Sequence, residues 1–170
     1  HEAGGHGFGK LGDEYIYHNA FIQACGCTCC PHAYELMSAQ SKGWFQNLSL
    51  TGKMSDVPWR NFIFHEKYSG FVDIFEGGYM HSRGVFRSEQ NSCMNNEIPY
   101  YSTISRYEIV KRIMEYAGEP FSFDKFVEND IVEVVAETAA TKDGNTGMDS
   151  RSASMNSHEP VFMGERKTLR

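Results

Sequence analysis

Two histidines at the start of the chain, His1 and His6, have a spacing that a regular α-helix cannot use to bind one metal ion. They lie in the segment HEAGGHGFGKLGDEY, and Glu2 directly follows the first of them. Many zinc hydrolases place two histidines four residues apart on one helix, so that a single turn directs both imidazoles to the metal. Here the spacing is five, and five α-helical residues rotate by about 500°, which leaves the two side chains about 140° apart.

A π-bulge would remove this conflict, because it absorbs one extra residue in a helix and is frequent at functional sites. Gly4 and Gly5 lie where the distortion would fall, and glycine tolerates unusual backbone geometry best. Gly9 would then let the chain turn back, so that the carboxylate of Asp13 returns to the same point.

This geometry predicts a metal site with His1, His6 and Asp13 as ligands and with Glu2 as the general base that polarises the attacking water. The alternative is a glycine-rich loop with scattered polar residues, and the spacing by itself leaves both interpretations open.

The composition narrows the class of protein further. A chain of 170 residues suits one domain, and an aromatic share of 14% compensates for a hydrophobic share of only 41%. The net charge is -6, with no block of Lys or Arg, whereas a nucleic-acid binder needs a basic surface. No apolar stretch approaches the roughly 18–20 residues that span a bilayer. We therefore expect neither a nucleic-acid partner nor a transmembrane segment.

The clearest secondary-structure signal is a helix over residues Ser102 to Tyr116, where apolar residues recur every three or four positions. Ser102 is a suitable N-cap and Gly118 a suitable end. Residues 121–135 are expected to form a second, acidic helix or an irregular packed segment.

The remaining zones are less regular. Residues 21–101 alternate short apolar runs with Gly, Pro, Asn and Ser, which predicts loops, turns and short helices, one of them over residues 36–48. Residues 136–170 have few aromatic residues, and we expect a disordered tail.

Four of the five cysteines lie close together in Cys25-Gly-Cys27-Thr-Cys29-Cys30, two residues before His32. Structural zinc sites usually draw pairs of cysteines two to four residues apart from two separate knuckles, whereas these alternate at single spacing. A local insertion with free thiols or with a disulfide to Cys93 is therefore favoured over a second zinc site.

Beyond these patterns, two blocks of the sequence resemble the IgA-peptidase family of secreted bacterial zinc metallo-endopeptidases, in the versions found in Bacteroides-type gut bacteria. The first block is the run from Gly5 to Tyr15, GHGFGKLGDEY. The second comprises FEGGY at residues 75–79, GVFR at 84–87 and NSCM at 91–94. The similarity extends over about residues 1–130, with the two blocks in the expected order.

The resemblance implies an α+β, metzincin-like zincin catalytic domain that binds one catalytic Zn²⁺ ion. It assigns zinc binding to His1, His6 and Asp13 and the role of general base to Glu2, and the adjacent Glu14 is an alternative third ligand. Met94 matches the Met-turn, whose side chain forms the floor of such a site, and the helix after residue 102 matches the C-terminal helix.

The resemblance also implies that residues 1–135 are the C-terminal portion of a catalytic domain that begins at its first zinc ligand. We therefore expect a loop-rich, mostly helical chain that lacks the upper sheet subdomain and has little or no activity alone. A polypeptide substrate and a secreted, periplasmic or cell-surface location are implied in the same way.

Four further residues are weaker candidates for contact with substrate. Tyr100 and Tyr101, shortly after Met94, are candidate oxyanion helpers, although a Tyr-Tyr pair more often packs than reacts. Gly77 and Gly78 are expected to form either a cleft wall, where glycine permits close approach to a ligand, or a tight turn. The alternative to an enzyme is a non-catalytic secreted domain that binds protein or glycan on a protease-like fold.

Overall fold

The computed structural model describes residues 1–22 and 31–132, and these residues form a mixed α+β structure. The α+β class expected from the sequence is thus confirmed at this coarse level. The cysteine cluster at residues 25–30 and the tail at residues 136–170 lie outside the described residues.

A π-helix opens the chain and spans Glu2–Gly9. Its hydrogen bonds include one from the His6 amide to the His1 carbonyl oxygen, 3.1 Å away, which is the five-residue step of a π-helix. The helix ends at Lys10, which adopts a left-handed conformation and donates its amide hydrogen to the Gly5 carbonyl oxygen. The distortion predicted from the histidine spacing is therefore present, as a whole short helix rather than as a single bulge.

A four-stranded sheet follows, built from β1 (Ile16–Phe21), β2 (Leu48–Ser49), β3 (Phe75–Gly78) and β4 (Met80–Arg87). The longest strand, β4, pairs in parallel with β1 and antiparallel with both β2 and β3. The sequence predicts only loops, turns and short helices for residues 21–101, and that prediction is wrong for β2, β3 and β4. The glycines and polar residues within β3 and β4 are typical of turns, which hides both strands from a reading of local composition.

The tight hairpin between β3 and β4 fixes the segment that carries Asp13. Tyr79 and Met80 both have positive φ, 45° and 69°, as a two-residue hairpin turn requires. The Tyr79 amide donates to the Asp13 carbonyl oxygen at 2.9 Å, and the Met80 amide donates to the Tyr15 carbonyl oxygen at 3.0 Å. The backbone on both sides of residue 14 is thereby attached to the sheet.

Helix α1 (Pro31–Ser41) packs against the sheet. The buried residues of this core are Ile22, Ala33, Leu36, Leu48, Tyr79 and Val85. The sequence predicts a helix over residues 36–48, which is wrong in position: the helix starts five residues earlier and ends at Ser41. Gly43 follows with φ of 73°, a left-handed conformation typical of helix ends.

Helix α4 (Thr103–Ala117) confirms the helix predicted after residue 102 almost to the residue. The Ser102 side chain accepts a hydrogen bond from the Ser105 amide, and Gly118, with φ of 70°, ends the helix. These caps act locally, which explains why the sequence locates this helix so well.

Three shorter helices complete the described chain: α2 (Arg60–Ile63), α3 (Cys93–Asn96) and α5 (Phe123–Asn129). Helices α2, α4 and α5 share a cluster of edge-to-face aromatic rings, whose members are Phe62, Tyr68, Tyr107, Phe123 and Phe126. Among residues 1–22 and 31–132, none of the helices is both long enough and apolar enough to span a membrane.

Candidate metal centre

The structure brings His1, His6 and Asp13 together at one point. Asp13 Oδ1 lies 3.0 Å from His1 Nε2 and 2.9 Å from His6 Nε2, and the two imidazole nitrogens are 3.2 Å apart. One donor atom from each residue thus forms a small triangle, which marks a group of residues suited to holding a metal ion. All three side chains are partly buried.

The π-helix is what allows the five-residue spacing to work. In a π-helix the backbone hydrogen bond joins residues five apart, so residue 6 lies above residue 1 on the same face. The imidazole rings of His1 and His6 accordingly have centroids 4.9 Å apart.

Hydrogen bonds around the triangle orient two of its members. His6 Nδ1 lies 2.8 Å from the Leu11 carbonyl oxygen, and because a carbonyl can only accept, this nitrogen carries the proton. The Nε2 lone pair of His6 is then available for a metal, the arrangement usual for ligating histidines. The Tyr15 hydroxyl makes a hydrogen bond with the Asp13 side chain, and burial together with that carboxylate raises the pKa of Tyr15 to about 12.

The structure separates Asp13 from its neighbour Glu14 as a candidate ligand. Glu14 is fully buried, and its two carboxyl oxygens accept hydrogen bonds from Asn47 Nδ2 at 2.9 Å and from Ser92 Oγ at 2.5 Å. Burial raises the pKa of this carboxyl to about 7. Since both oxygens are occupied within the core, Asp13 rather than Glu14 supplies the third donor of the triangle.

Met94 lies beneath the π-helix, where the sequence resemblance expects the floor of the site. Its side chain is fully buried, and a Cβ atom placed on Gly5 would overlap the Met94 sulfur. Its carbonyl oxygen accepts the Glu14 amide at 2.8 Å, and its own amide donates to Ser92 Oγ at 3.1 Å. Met94 therefore contacts the π-helix through its side chain and the Asp13 segment through its backbone.

Glu2, the candidate general base, is exposed on the first turn of the π-helix, next to His1. Its charge is the smallest of the contributions that raise the pKa of Tyr15. An exposed carboxylate in this position is free to meet water or a ligand.

The two candidate tyrosines are directed to different places. A Cβ atom on Gly4 would lie 2.6 Å from the Tyr101 hydroxyl oxygen, so Tyr101 packs under the π-helix. Tyr100 instead donates its hydroxyl to Glu89 Oε2 at 2.7 Å. This hydroxyl is committed to a buried carboxyl, and the structure does not bring Tyr100 to the triangle.

Gly77 and Gly78 are both buried at the end of strand β3, directly before the Tyr79–Met80 turn, and do not form a tight turn of their own. The Gly77 carbonyl oxygen accepts a hydrogen bond from Arg87 Nη1 at 2.7 Å. A Cβ atom on Gly78 would lie 3.1 Å from the Leu48 side chain. Both glycines thus serve close packing inside the sheet.

Sequence reasoning missed Tyr15 and the supporting role of Glu14. Tyr15 belongs to the first of the two blocks that resemble the peptidase family, and it lies two residues after Asp13. This closeness in sequence could have indicated its contact with the Asp13 side chain. Nothing local indicates the Glu14 contacts, because its partners Asn47 and Ser92 are 33 and 78 residues away along the chain.

No protein family model matches this sequence, and none of the curated proteins is significantly similar to it.

Proposed function

We propose that this chain carries the zinc centre of a metallo-endopeptidase of the IgA-peptidase type. The observation that supports this most directly is the triangle of His1 Nε2, His6 Nε2 and Asp13 Oδ1, with sides of 2.9–3.2 Å, on a π-helix that makes a five-residue spacing workable. The buried Met94 under that helix is a second observation in its favour.

The donor set suits zinc. Catalytic zinc sites use three protein ligands from imidazoles and carboxylates and leave a fourth position open for water or substrate. Ligand bonds of about 2.0–2.2 Å in a tetrahedron separate the ligand atoms by about 3.4 Å, so the observed triangle needs only a few tenths of an ångström of expansion.

When bound, zinc supplies Lewis acidity that lowers the pKa of a coordinated water and polarises a carbonyl group. The chain's own residues transfer the proton and hold the carboxylate ligand. Glu2 accepts the proton of the attacking water and passes it to the leaving amine, a role that its exposed carboxylate beside His1 permits. Tyr15 holds the Asp13 carboxylate through its hydrogen bond, and with a pKa of about 12 its hydroxyl stays protonated at neutral pH.

The proposed substrate is a polypeptide, and the proposed location is outside the cytoplasm, in a secreted, periplasmic or cell-surface protein. Both rest on the family resemblance. The net charge of -6 argues against a nucleic-acid partner, since such a partner requires a basic surface.

Substitution of Glu2 separates an enzyme from a binding domain. We expect the wild-type chain to bind one zinc ion, and we expect the complete catalytic domain that the resemblance implies to cleave fluorescently labelled casein. Glu2→Gln is expected to retain the zinc and to lose at least about 100-fold in hydrolysis, since the general base is gone. Zinc content is measured by mass spectrometry of the metal, and hydrolysis by release of label.

Two controls make this test specific. His6→Ala removes a ligand and is expected to lose zinc and hydrolysis together, whereas His65→Gln changes a histidine packed against Tyr68 and Phe123 and is expected to change neither. A complete catalytic domain that binds zinc but cleaves no unfolded polypeptide would favour the non-catalytic binding domain instead.

A further inference from the structure

Asn47 is a fully buried polar residue that makes three hydrogen bonds to the segment carrying Asp13. Its Oδ1 accepts the Gly12 amide at 2.8 Å, and its Nδ2 donates to the Gly12 carbonyl oxygen at 2.8 Å and to Glu14 Oε1 at 2.9 Å. An asparagine side chain offers two donor hydrogens and one acceptor oxygen, and all of these are used here. Asn47 therefore fixes the residues on both sides of Asp13.

The segment before β2 lies directly against Gly12. The Phe45 amide donates to the Lys10 carbonyl oxygen at 2.8 Å, two residues before the contacts between Asn47 and Gly12. A Cβ atom at position 12 would lie 2.6 Å from the side chain of Leu48, which is fully buried and has little room to move. The close approach of the two segments, and with it the contact of Asn47, thus depends on glycine at position 12.

The backbone around Asp13 is held from two further directions. The Tyr79 amide donates to the Asp13 carbonyl oxygen at 2.9 Å, and the Glu14 amide donates to the Met94 carbonyl oxygen at 2.8 Å. These bonds hold the main chain, while Asn47 holds the side chain of Glu14. Of the two adjacent carboxyl groups, that of Asp13 therefore meets the two histidines and that of Glu14 lies in the core.

We propose that Asn47 is a positioning residue that selects the carboxylate of Asp13, rather than that of Glu14, as the third metal ligand. It binds the Glu14 carboxyl within the core and fixes the backbone of Gly12, so that Asp13 Oδ1 is held beside the two imidazoles. Groups that orient metal ligands typically change metal affinity by about 10–100-fold when they are removed. This inference rests on the proposed function, because it concerns the same zinc site.

The test measures the zinc affinity of the full chain by competition with a fluorescent chelator. We expect Asn47→Ala to weaken zinc binding by at least about 10-fold, because the Asp13 carboxylate is no longer held in place. Asn47→Asp keeps the shape of the side chain and the acceptor for the Gly12 amide, but its second oxygen faces two acceptors. We expect this variant to weaken zinc binding several-fold, and it takes the place of Asn47→Ala if the alanine variant does not fold.

Two control variants separate positioning from general stability. Asn129→Ala removes the hydrogen bond of an exposed asparagine to the Lys125 carbonyl oxygen and is expected to leave zinc affinity unchanged. Phe126→Leu opens the aromatic cluster and is expected to lower stability without changing zinc affinity. Circular dichroism shows that each variant is folded. A loss of zinc affinity in Phe126→Leu equal to that in Asn47→Ala would overturn the proposal, because zinc binding would then follow stability alone.

Cobalt provides a spectroscopic measure of the ligand geometry. The visible absorption of Co²⁺ depends on the number and arrangement of its ligands, so the chain is titrated with Co²⁺ in place of zinc. We expect Asn47→Ala to change the spectrum and Phe126→Leu to retain that of the wild type. A spectrum of Asn47→Ala identical to that of the wild type would overturn the proposal.

Hydrogen exchange in EDTA separates this inference from the proposed function. The Gly12 amide bonds to Asn47 inside the fold, and we expect it to exchange at least about 100-fold more slowly than in an unstructured chain. A rapidly exchanging Gly12 amide would overturn the inference whether or not zinc binds. A wild type that protects this amide but binds no zinc would contradict the proposed function, and with it the role of Asn47 towards the metal. Zinc binding of equal affinity in the wild type and both Asn47 variants would overturn this inference alone.

Discussion

Glu14 is the buried carboxyl group that joins the candidate metal centre to the segment beneath it. It lies next to Asp13 in the chain, accepts hydrogen bonds from Asn47 and Ser92, and has its amide bonded to Met94. Burial raises its pKa to about 7, so in the folded, metal-free chain it retains a proton over a range where the unfolded chain has released it. Its stability contribution therefore depends on pH.

The sign of this dependence follows from the direction of the shift. The folded pKa of about 7 exceeds the ordinary value of 4.5. The stability that Glu14 contributes is therefore greatest below pH 4.5 and is lost as pH rises through 7. The expected loss is about 2 kcal/mol in the free energy of unfolding between pH 5 and pH 7.5. Glu14→Gln, which is neutral at every pH, is expected to remove this part of the slope in urea unfolding of the metal-free chain.

Glu119→Gln is the matched control for that experiment, since it neutralises an exposed carboxyl and is expected to leave the slope unchanged. A Glu14→Gln variant with the wild-type slope would show that the Glu14 carboxyl titrates as it does in the unfolded chain.

The π-helix packs against the Met94 side chain at Gly5. A methyl group at this position would overlap the Met94 sulfur, and Met94 is fully buried, so its side chain has little room to move. We expect Gly5→Ala to destabilise the fold by about 1–3 kcal/mol through overpacking and to weaken zinc binding. Urea unfolding and competition with a zinc chelator measure the two effects.

Gly70→Ala provides the comparison, because a Cβ atom there meets nothing within 4 Å. It is expected to be neutral or slightly stabilising, as alanine restricts the unfolded chain more than glycine does. Equal behaviour of the two variants would mean that Met94 does not pack against the π-helix.

At the scale of elements, the sequence located those features that depend on neighbouring residues. Helix α4 was predictable because its apolar spacing and its caps at Ser102 and Gly118 all lie within seventeen residues. The sheet was not, because β1 pairs with β4 across some sixty residues and the glycines of β3 and β4 imitate loops. The proximity of His1, His6 and Asp13 falls in the first group, since these three residues are confined to residues 1–13.

Helix α4 supports the π-helix through Arg112. Its Nε donates to the Gly9 carbonyl oxygen at 3.0 Å, at the last residue of the π-helix, and its Nη2 donates to the Gly43 carbonyl oxygen at 3.1 Å. We expect Arg112→Leu to cost about 1–2 kcal/mol of stability, because two charge-assisted hydrogen bonds are lost at a partly exposed site. Thermal unfolding followed by circular dichroism measures this effect.

Lys111→Leu tests whether that effect is specific to Arg112. Lys111 is the adjacent residue of the same helix, and its ion pair with Glu108 is long, at 3.9 Å, and partly exposed. Such pairs contribute little, so a change of less than about 1 kcal/mol is expected. A loss of stability as large as that of Arg112→Leu would indicate that leucine on this side of α4 destabilises the fold regardless of the hydrogen bonds that the replaced side chain made.

For the whole molecule, the candidate centre joins two parts of the fold. His1 and His6 belong to the π-helix, while Asp13 is attached to the β3–β4 hairpin through its backbone. A metal ion held by all three would fasten the helix to the sheet. Its binding energy would therefore appear as stability of the entire described fold and not only of the first fifteen residues.

Zinc is accordingly expected to stabilise the chain as a unit. A free zinc concentration 100 times its dissociation constant adds about 2.7 kcal/mol to the free energy of unfolding if only the folded chain binds it. Urea unfolding with buffered zinc and with EDTA measures the difference. We expect it in the wild type and in Glu2→Gln, and we expect its loss in His6→Ala. Mg²⁺ serves as the control ion, because it prefers oxygen ligands in an octahedral arrangement and is expected to give no such gain. Equal stabilisation of wild type and His6→Ala would place the bound zinc elsewhere in the chain.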